Sequence, residues 1–250
     1  MHRQLFMFIV AVACCFTNAQ TSVSSSTGSA AGGSGALAGA SVIGNIKFDG
    51  PPPKPAPIAM RSDPACAAEH PQSMRGEDLV TGQSGTLENV IVFISQGAQE
   101  RPYDVPQSPA VMEQKGCMYE PHVLAMRAGQ TLRVVNEDKT THNIHPMPAN
   151  NREWNKAQIP GQPIEEKFAR EEVSIPVKCN IHPWMHSYIA VFRHPYFAVT
   201  GKDGSFELRN LPPGEYTIEA WHEKLGAITQ HVKVARGENK KVDFTFKSRG

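Results

Sequence analysis

The stretch from Val177 to Met185, V-K-C-N-I-H-P-W-M, constrains this chain more than any other. Cys179, His182 and Met185 bring a thiol, an imidazole and a thioether into one short loop. Upstream, T-H-N-I-H from Thr141 to His145 places His142 at the end of a strand-like run. Two imidazoles, a thiolate and a thioether are the donors of a trigonal His2Cys copper site with a long axial Met bond. In such a site Cys179 ends a strand, the following residues curl over the ion, and His142 approaches from a neighbouring strand. Zinc is the rival ion, but it rarely recruits a thioether, and a Cys2His2 site needs a second nearby cysteine. A Cys-x-x-His pair taken alone also suits a structural role, with Met185 and Trp184 as core residues.

C-x-x-H-P-W-M with an upstream H-N-x-H resembles the cupredoxins, most of all the amicyanin type, over roughly residues 122–193. The resemblance implies one type 1 copper held by His142, Cys179, His182 and Met185. It implies that Asn143 pins the two ligand loops together. It makes His182 the electron exit, its far ring edge at the surface in an apolar patch with Pro183 and Trp184. Pro183 has no N–H to offer the thiolate, which favours the reduced form. His145 and His186 are read as surface residues, with His186 the alternative, harder axial ligand. The His-to-Met gap is shorter than in plastocyanins. The segment with Pro148, Pro160, Gly161 and Pro163 departs from amicyanins. Nothing resembles the His-Cys-His link of multicopper oxidases.

The formal net charge of +1 argues against a nucleic-acid partner. Residues 1–19 read as a secretory signal: His2 and Arg3, then apolar Leu5 to Phe16, then Thr17-Asn18-Ala19 for cleavage. The apolar run is too short to span a bilayer, so no transmembrane segment is expected. Cys14 offers an alternative lipid anchor. Residues 20–40, rich in Ser, Gly and Ala, read as a linker. The chain is therefore expected to be periplasmic or secreted. Cys14 and Cys15 leave with the signal, and Cys66, Cys117 and Cys179 remain. Export favours a Cys66–Cys117 disulfide, with Cys179 kept as the metal thiolate. Closing that loop of about 50 residues stabilises by about 4 kcal/mol in the chain-entropy model. The rival is a second metal site, because Cys66-x3-His70 and Cys117-x4-His122 each add a histidine.

The rest of the chain reads as short strands. Ser41 to Phe48 alternates before a D-G-P-P-P turn, and Leu87 to Ser95 is β-branched enough to be buried on both faces. A short helix is read near Pro64 to His70. Val123 to Met126 and Thr131 to Val135 flank a hairpin or corner, and Asn150 to Lys167 reads as a loop with one helical turn. Val173 to Lys178 and Ser187 to Phe192 hold the ligand loop between them. From Phe197, V-T-G-K-D-G-S-F and L-P-P-G-E-Y resemble the carboxypeptidase regulatory-like (prealbumin-like) β-sandwich, a fold signature that says nothing of activity. The expected fold is all-β: a cupredoxin-like Greek-key sandwich over 41–195 and a smaller prealbumin-like one over 196–250. The two stand in tandem, or strands from 41–98 complete the second.

A His2Cys site with a distant Met suits one-electron transfer, so the expected function is an exported one-electron carrier whose redox partners the sequence does not name. The alternatives are a copper-sequestering or delivery protein, and an envelope binding module with a vestigial copper site. No nucleophile–base pair or catalytic carboxylate pair stands out, and no enzyme is expected.

Overall fold

The computed structural model describes residues 39–248 apart from positions 52 and 73. The expected signal, the Cys14 anchor and nearly all of the linker lie outside the described residues. In chain order, β1 (Ala40–Asp49) is followed by a short helix α1 (Pro64–Glu69), β2 (Ile91–Gln96), β3 (Ala110–Lys115) and β4 (Met118–Glu120). Next come β5 (Val123–Arg127), β6 (Thr131–Asn136), β7 (His142–Pro146), β8 (Lys156–Gln158), β9 (Ile164–Lys167), β10 (Glu172–Lys178) and β11 (His186–Phe192). The chain closes with β12 (Phe197–Val199), β13 (Ser205–Leu211), β14 (Gly214–His222), β15 (Gly226–Val234), β16 (Asn239–Lys241) and β17 (Phe244–Lys247).

Four sheets make two β-sandwiches. In the first, the sheet β5-β11-β10-β7-β8 covers the sheet β4-β3-β6-β9. Met126, Ile175, Val177 and Ile189 from one layer meet Met112, Tyr119, Leu132 and Val134 from the other. Two of its neighbouring pairs, β3 with β6 and β5 with β11, run parallel. This is a two-layer β-sandwich of mixed parallel and antiparallel strands. In the second, β1 pairs with β13, β16 and β17 and faces the sheet β12-β2-β14-β15. Val42, Ile46, Phe206, Phe244 and Phe246 fill the space against Val92, Ile94, Tyr216 and Ile218. Strands from both ends of the chain thus build the small sandwich, and residues 110–192 form the other between them.

The alternating buried positions of β1 point its even residues, Ala40, Val42 and Ile46, into the core, as a period of two demands. β2 is buried on both faces for a different reason. Val92 and Ile94 face the small sandwich's core, while Ile91 and Phe93 meet Val123, Ala190 and Phe192 of the other sandwich.

Of the two alternatives for Val123 to Met126 and Thr131 to Val135, the structure has the corner: β5 and β6 belong to opposite sheets, and the chain turns between them at Gly129 with φ 81°. One expectation needs correction. Residues 150–167 hold no helical turn; β8 and β9 lie there as short edge strands. Trp154 packs there, its ring stacked 6.5 Å from Phe168.

Candidate metal centre

β10 delivers Cys179, and β7, its antiparallel neighbour through Val177–Pro146 and Lys178–His145, delivers His142. The loop after β10 then closes on itself. Met185 N–H donates to His182 O at 3.0 Å, and Cys179 N–H donates to Met185 O at 3.1 Å. His182 is thereby turned back over Cys179, whose sulfur accepts the His182 backbone N–H at 3.4 Å. Ligand atoms of His142, Cys179 and His182 all lie within 4.8 Å of one another. Met185 is fully buried in the same core cluster as Cys179. Cys179 is the free cysteine among the described residues.

Asn143 lies between the two loops: its Oδ1 accepts from the Asn180 N–H at 3.0 Å, and its amide donates to Asn155. Pro183 is exposed at the loop tip. His145 lies outside the cluster with Glu153 at 2.6 Å, and His186 faces Asp78 at 2.8 Å rather than the thiol.

The orientation of the two imidazoles decides what the site can hold. His142 Nε2 faces Asp138 Oδ2 at 2.7 Å, and His182 Nε2 faces Asp63 Oδ2 at 3.0 Å. Ionised carboxylates only accept, so both Nε2 atoms carry hydrogen. In the neutral rings both lone pairs are then on Nδ1, and the two Nδ1 atoms are 2.9 Å apart. Two lone pairs at that distance need a shared cation, either a proton or a metal ion. Carboxylates on the far nitrogens are the usual way to orient and strengthen imidazole ligands. The residues present therefore fit a soft or borderline metal ion.

Electrostatics point the same way. Burial disfavours the His142 imidazolium, but Asp138 and Cys179 outweigh it and hold the pKa up at about 9. Burial raises the Cys179 thiol, yet hydrogen bonds from His142 and backbone N–H groups bring it below its ordinary value. Without metal, a proton between the two Nδ1 atoms takes the place of the ion.

Neither carboxylate was legible as a site residue. Asp63 caps α1, its Oδ1 accepting from Ala65 N–H at 2.8 Å and Cys66 N–H at 3.2 Å. Asp138 accepts from Gly116 N–H at 2.6 Å and Cys117 N–H at 2.8 Å. Cys66 and Cys117 form the expected disulfide. Each half-cystine thus steadies the carboxylate that steadies one histidine, and the disulfide joins the two arms. Bridged, these two cysteines are not metal ligands, although each lies close to one of the histidines.

One expectation fails outright. His182 does not show its far edge to solvent; it is 2 % exposed, because Asp63 and α1 cover that edge. Trp184 is half-buried, its ring 5.0 Å from His182 and its Nε1 donating to Cys117 O at 3.1 Å.

The family model of the carboxypeptidase regulatory-like domain matches residues 189–247. The match takes in β12 to β17, while β1 and β2, which complete that sandwich, lie outside it. No curated protein matches the chain. Among solved structures, the chain is similar to a Cu-containing nitrite reductase from Thermus scotoductus SA-01, at 21% identity and a TM-score of 0.33 over 38% of this chain and 26% of that one. The chain thus spans about a quarter of the nitrite reductase's length. It is similar to a purple cupredoxin from Nitrosopumilus maritimus, at 24% identity and a TM-score of 0.29 over 33% of this chain and 99% of that one. An oxidized amicyanin variant aligns at 20% identity and a TM-score of 0.32, over 40% of this chain and 98% of that one.

Proposed function

We propose that the chain is an exported copper-binding protein in which His142, Cys179 and His182 hold one copper ion, with Met185 as a distant axial donor. The observation that carries this reading is the pair of Nδ1 atoms held 2.9 Å apart, beside the Cys179 sulfur, by carboxylates on the far nitrogens. Thiolate and imidazole donors with a nearby thioether suit copper in both oxidation states better than zinc. Copper bound there supplies a one-electron couple and an intense sulfur-to-metal absorption. The Cys66–Cys117 disulfide suits an oxidising compartment, in keeping with a periplasmic or secreted protein. Among the described residues no helix is long and apolar enough to cross a membrane.

Holding the ion, rather than passing electrons quickly, fits the covered histidine. The ring edge expected to meet a partner is bonded to Asp63 under α1. The role is one of binding, not catalysis. A second reading, the one-electron carrier, is favoured by Trp184, whose half-buried ring lies 5.0 Å from His182 and leads towards the surface. Competition with a Cu(I) chelator, set beside protein-film voltammetry, separates the two. The expected result is slow copper loss and sluggish electron exchange. Fast, reversible voltammetry favours the carrier. A protein that takes up neither Cu(I) nor Cu(II) overturns both and leaves a vestigial centre in an envelope binding module.

A further inference from the structure

The thiolate centre leaves a second group of imidazoles and carboxylates unused, at the seam of the two sandwiches. His122 precedes β5, His186 opens β11, and Glu223 follows β14, so both sandwiches contribute. The parallel pairing of β5 and β11 brings the two histidines together. Tyr188 N–H donates to His122 O at 3.0 Å, and the rings meet edge to face with centroids 5.2 Å apart. Ligand atoms of His122, His186 and Glu223 lie within 4.8 Å of one another. Glu77 and Asp78 close the group: Glu77 Oε2 is 3.7 Å from His122 Nδ1, and Asp78 Oδ1 is 2.8 Å from His186 Nε2.

Several features ask for a cation. His122 is 4 % exposed, and its Nδ1 has no hydrogen-bond partner among the described residues. A buried polar atom left unpaired costs about 1–3 kcal/mol. His186 Nδ1 faces the Trp184 carbonyl at 3.1 Å, which only accepts, so that nitrogen carries the hydrogen. That leaves Nε2, which faces the Asp78 carboxylate, as the nitrogen available to an ion. Against the carboxylates of Glu77, Asp78 and Glu223 stands, among the described residues, one ammonium, Lys224, with Nζ 3.4 Å from Asp78. A cleft of about 450 Å³, lined by Glu77, Glu88, Glu113, Glu120 and His122, leads to the group and draws cations in.

We propose that His122, His186 and Glu223 form a second metal site, distinct from the thiolate centre, for a borderline divalent ion such as zinc(II). Imidazole and carboxylate donors without sulfur suit zinc(II) and copper(II). Bonds of about 2.0–2.2 Å hold such ligands roughly 3–4 Å apart, so the cluster closes on an ion with small side-chain movements. An ion there ties the two sandwiches together. It also anchors the far end of the ligand loop, because His186 follows Met185 directly.

Zinc stoichiometry, measured on the full chain by equilibrium dialysis and elemental analysis, tests the proposal. With the thiolate centre disabled by Cys179→Ala and His142→Ala, the protein is expected to keep one zinc per chain. Adding His186→Ala or Glu223→Gln is expected to weaken that zinc by at least ~100-fold without changing the far-UV circular dichroism, as ligand loss exceeds the 10–100-fold cost of losing an outer partner. Cobalt(II) in the site is expected to show d–d bands and no thiolate charge transfer. In the otherwise intact chain, the same two substitutions are expected to lower total bound zinc by one equivalent. No zinc in the disabled protein, or an unchanged total in the intact chain, overturns the proposal. The readout does not depend on whether the thiolate centre takes copper.

Discussion

The two sandwiches differ in what they bury. The small one packs aromatic and aliphatic side chains, with Phe206, Phe244 and Phe246 set against Val92, Ile94 and Ile218. The other buries Met112, Met118, Met126, Cys179 and Met185 around two imidazoles, with Asn136, Asp138 and Asn143 among its buried polar residues. Burying such polar groups is costly unless each finds a partner, and a fold that only had to be stable would fill these places with hydrocarbon. The difference marks the sandwich that holds the thiolate centre.

Perturbing each sandwich should therefore give different signatures. The largest effect falls on the thiolate. Cys179→Ser is expected to abolish the sulfur-to-copper absorption while the far-UV circular dichroism stays unchanged; a surviving intense band contradicts the ligand assignment. Next, Phe244→Ala in the small sandwich is expected to cost about 3–5 kcal/mol in denaturant unfolding, as large-to-small core changes do. The copper absorption of the protein that remains folded should not move. A shifted spectrum would mean that the two regions are not separable in this way.

Asp63 offers a finer cut. Asn caps helices about as well as Asp, so Asp63→Asn keeps α1 but removes the charge on His182. Copper affinity is expected to fall about 10–100-fold, the usual cost of losing an outer partner of a histidine ligand. Asp63→Ala should add a loss of about 0.5–2 kcal/mol in stability for the missing cap. Equal copper affinity in wild type and Asp63→Asn would show that the carboxylate only caps the helix.

A last effect is in pH. His142 has its pKa raised to about 9 in the metal-free fold, above an unfolded value of about 6.5. Its ion pair with Asp138 therefore stabilises fully below about pH 6.5 and is lost as pH rises through about 9, by an amount on the order of 1–3 kcal/mol. Urea unfolding of the metal-free protein on both sides of that window checks the sign, and His142→Gln should flatten the difference.

What the sequence shows of this molecule follows how local each feature is. Cys179, His182 and Met185 share one loop, so their spacing is readable directly, and the D-G-S-F and L-P-P-G-E-Y turns mark the small sandwich for the same reason. Asp63 lies 119 residues from the histidine it holds, and no local pattern announces that contact. Its visible role, N-cap before Pro64, hides the other. β3 escapes notice because Gln114, fully buried, sits where an alternating pattern needs an apolar residue. β8 and β9 are edge strands of mostly polar residues, with no hydrophobic face to read. The cover over His182 was missed because the resemblance extends only over roughly residues 122–193, and the covering segment lies outside it.

The most direct test is the visible absorption and electron paramagnetic resonance of the purified protein given one equivalent of Cu(II). An intense thiolate-to-copper band with narrow copper hyperfine splitting is the result predicted for His142, Cys179 and His182 closing on one ion. A pale protein with ordinary tetragonal copper signals would contradict it, and would mean that these side chains do not converge on copper.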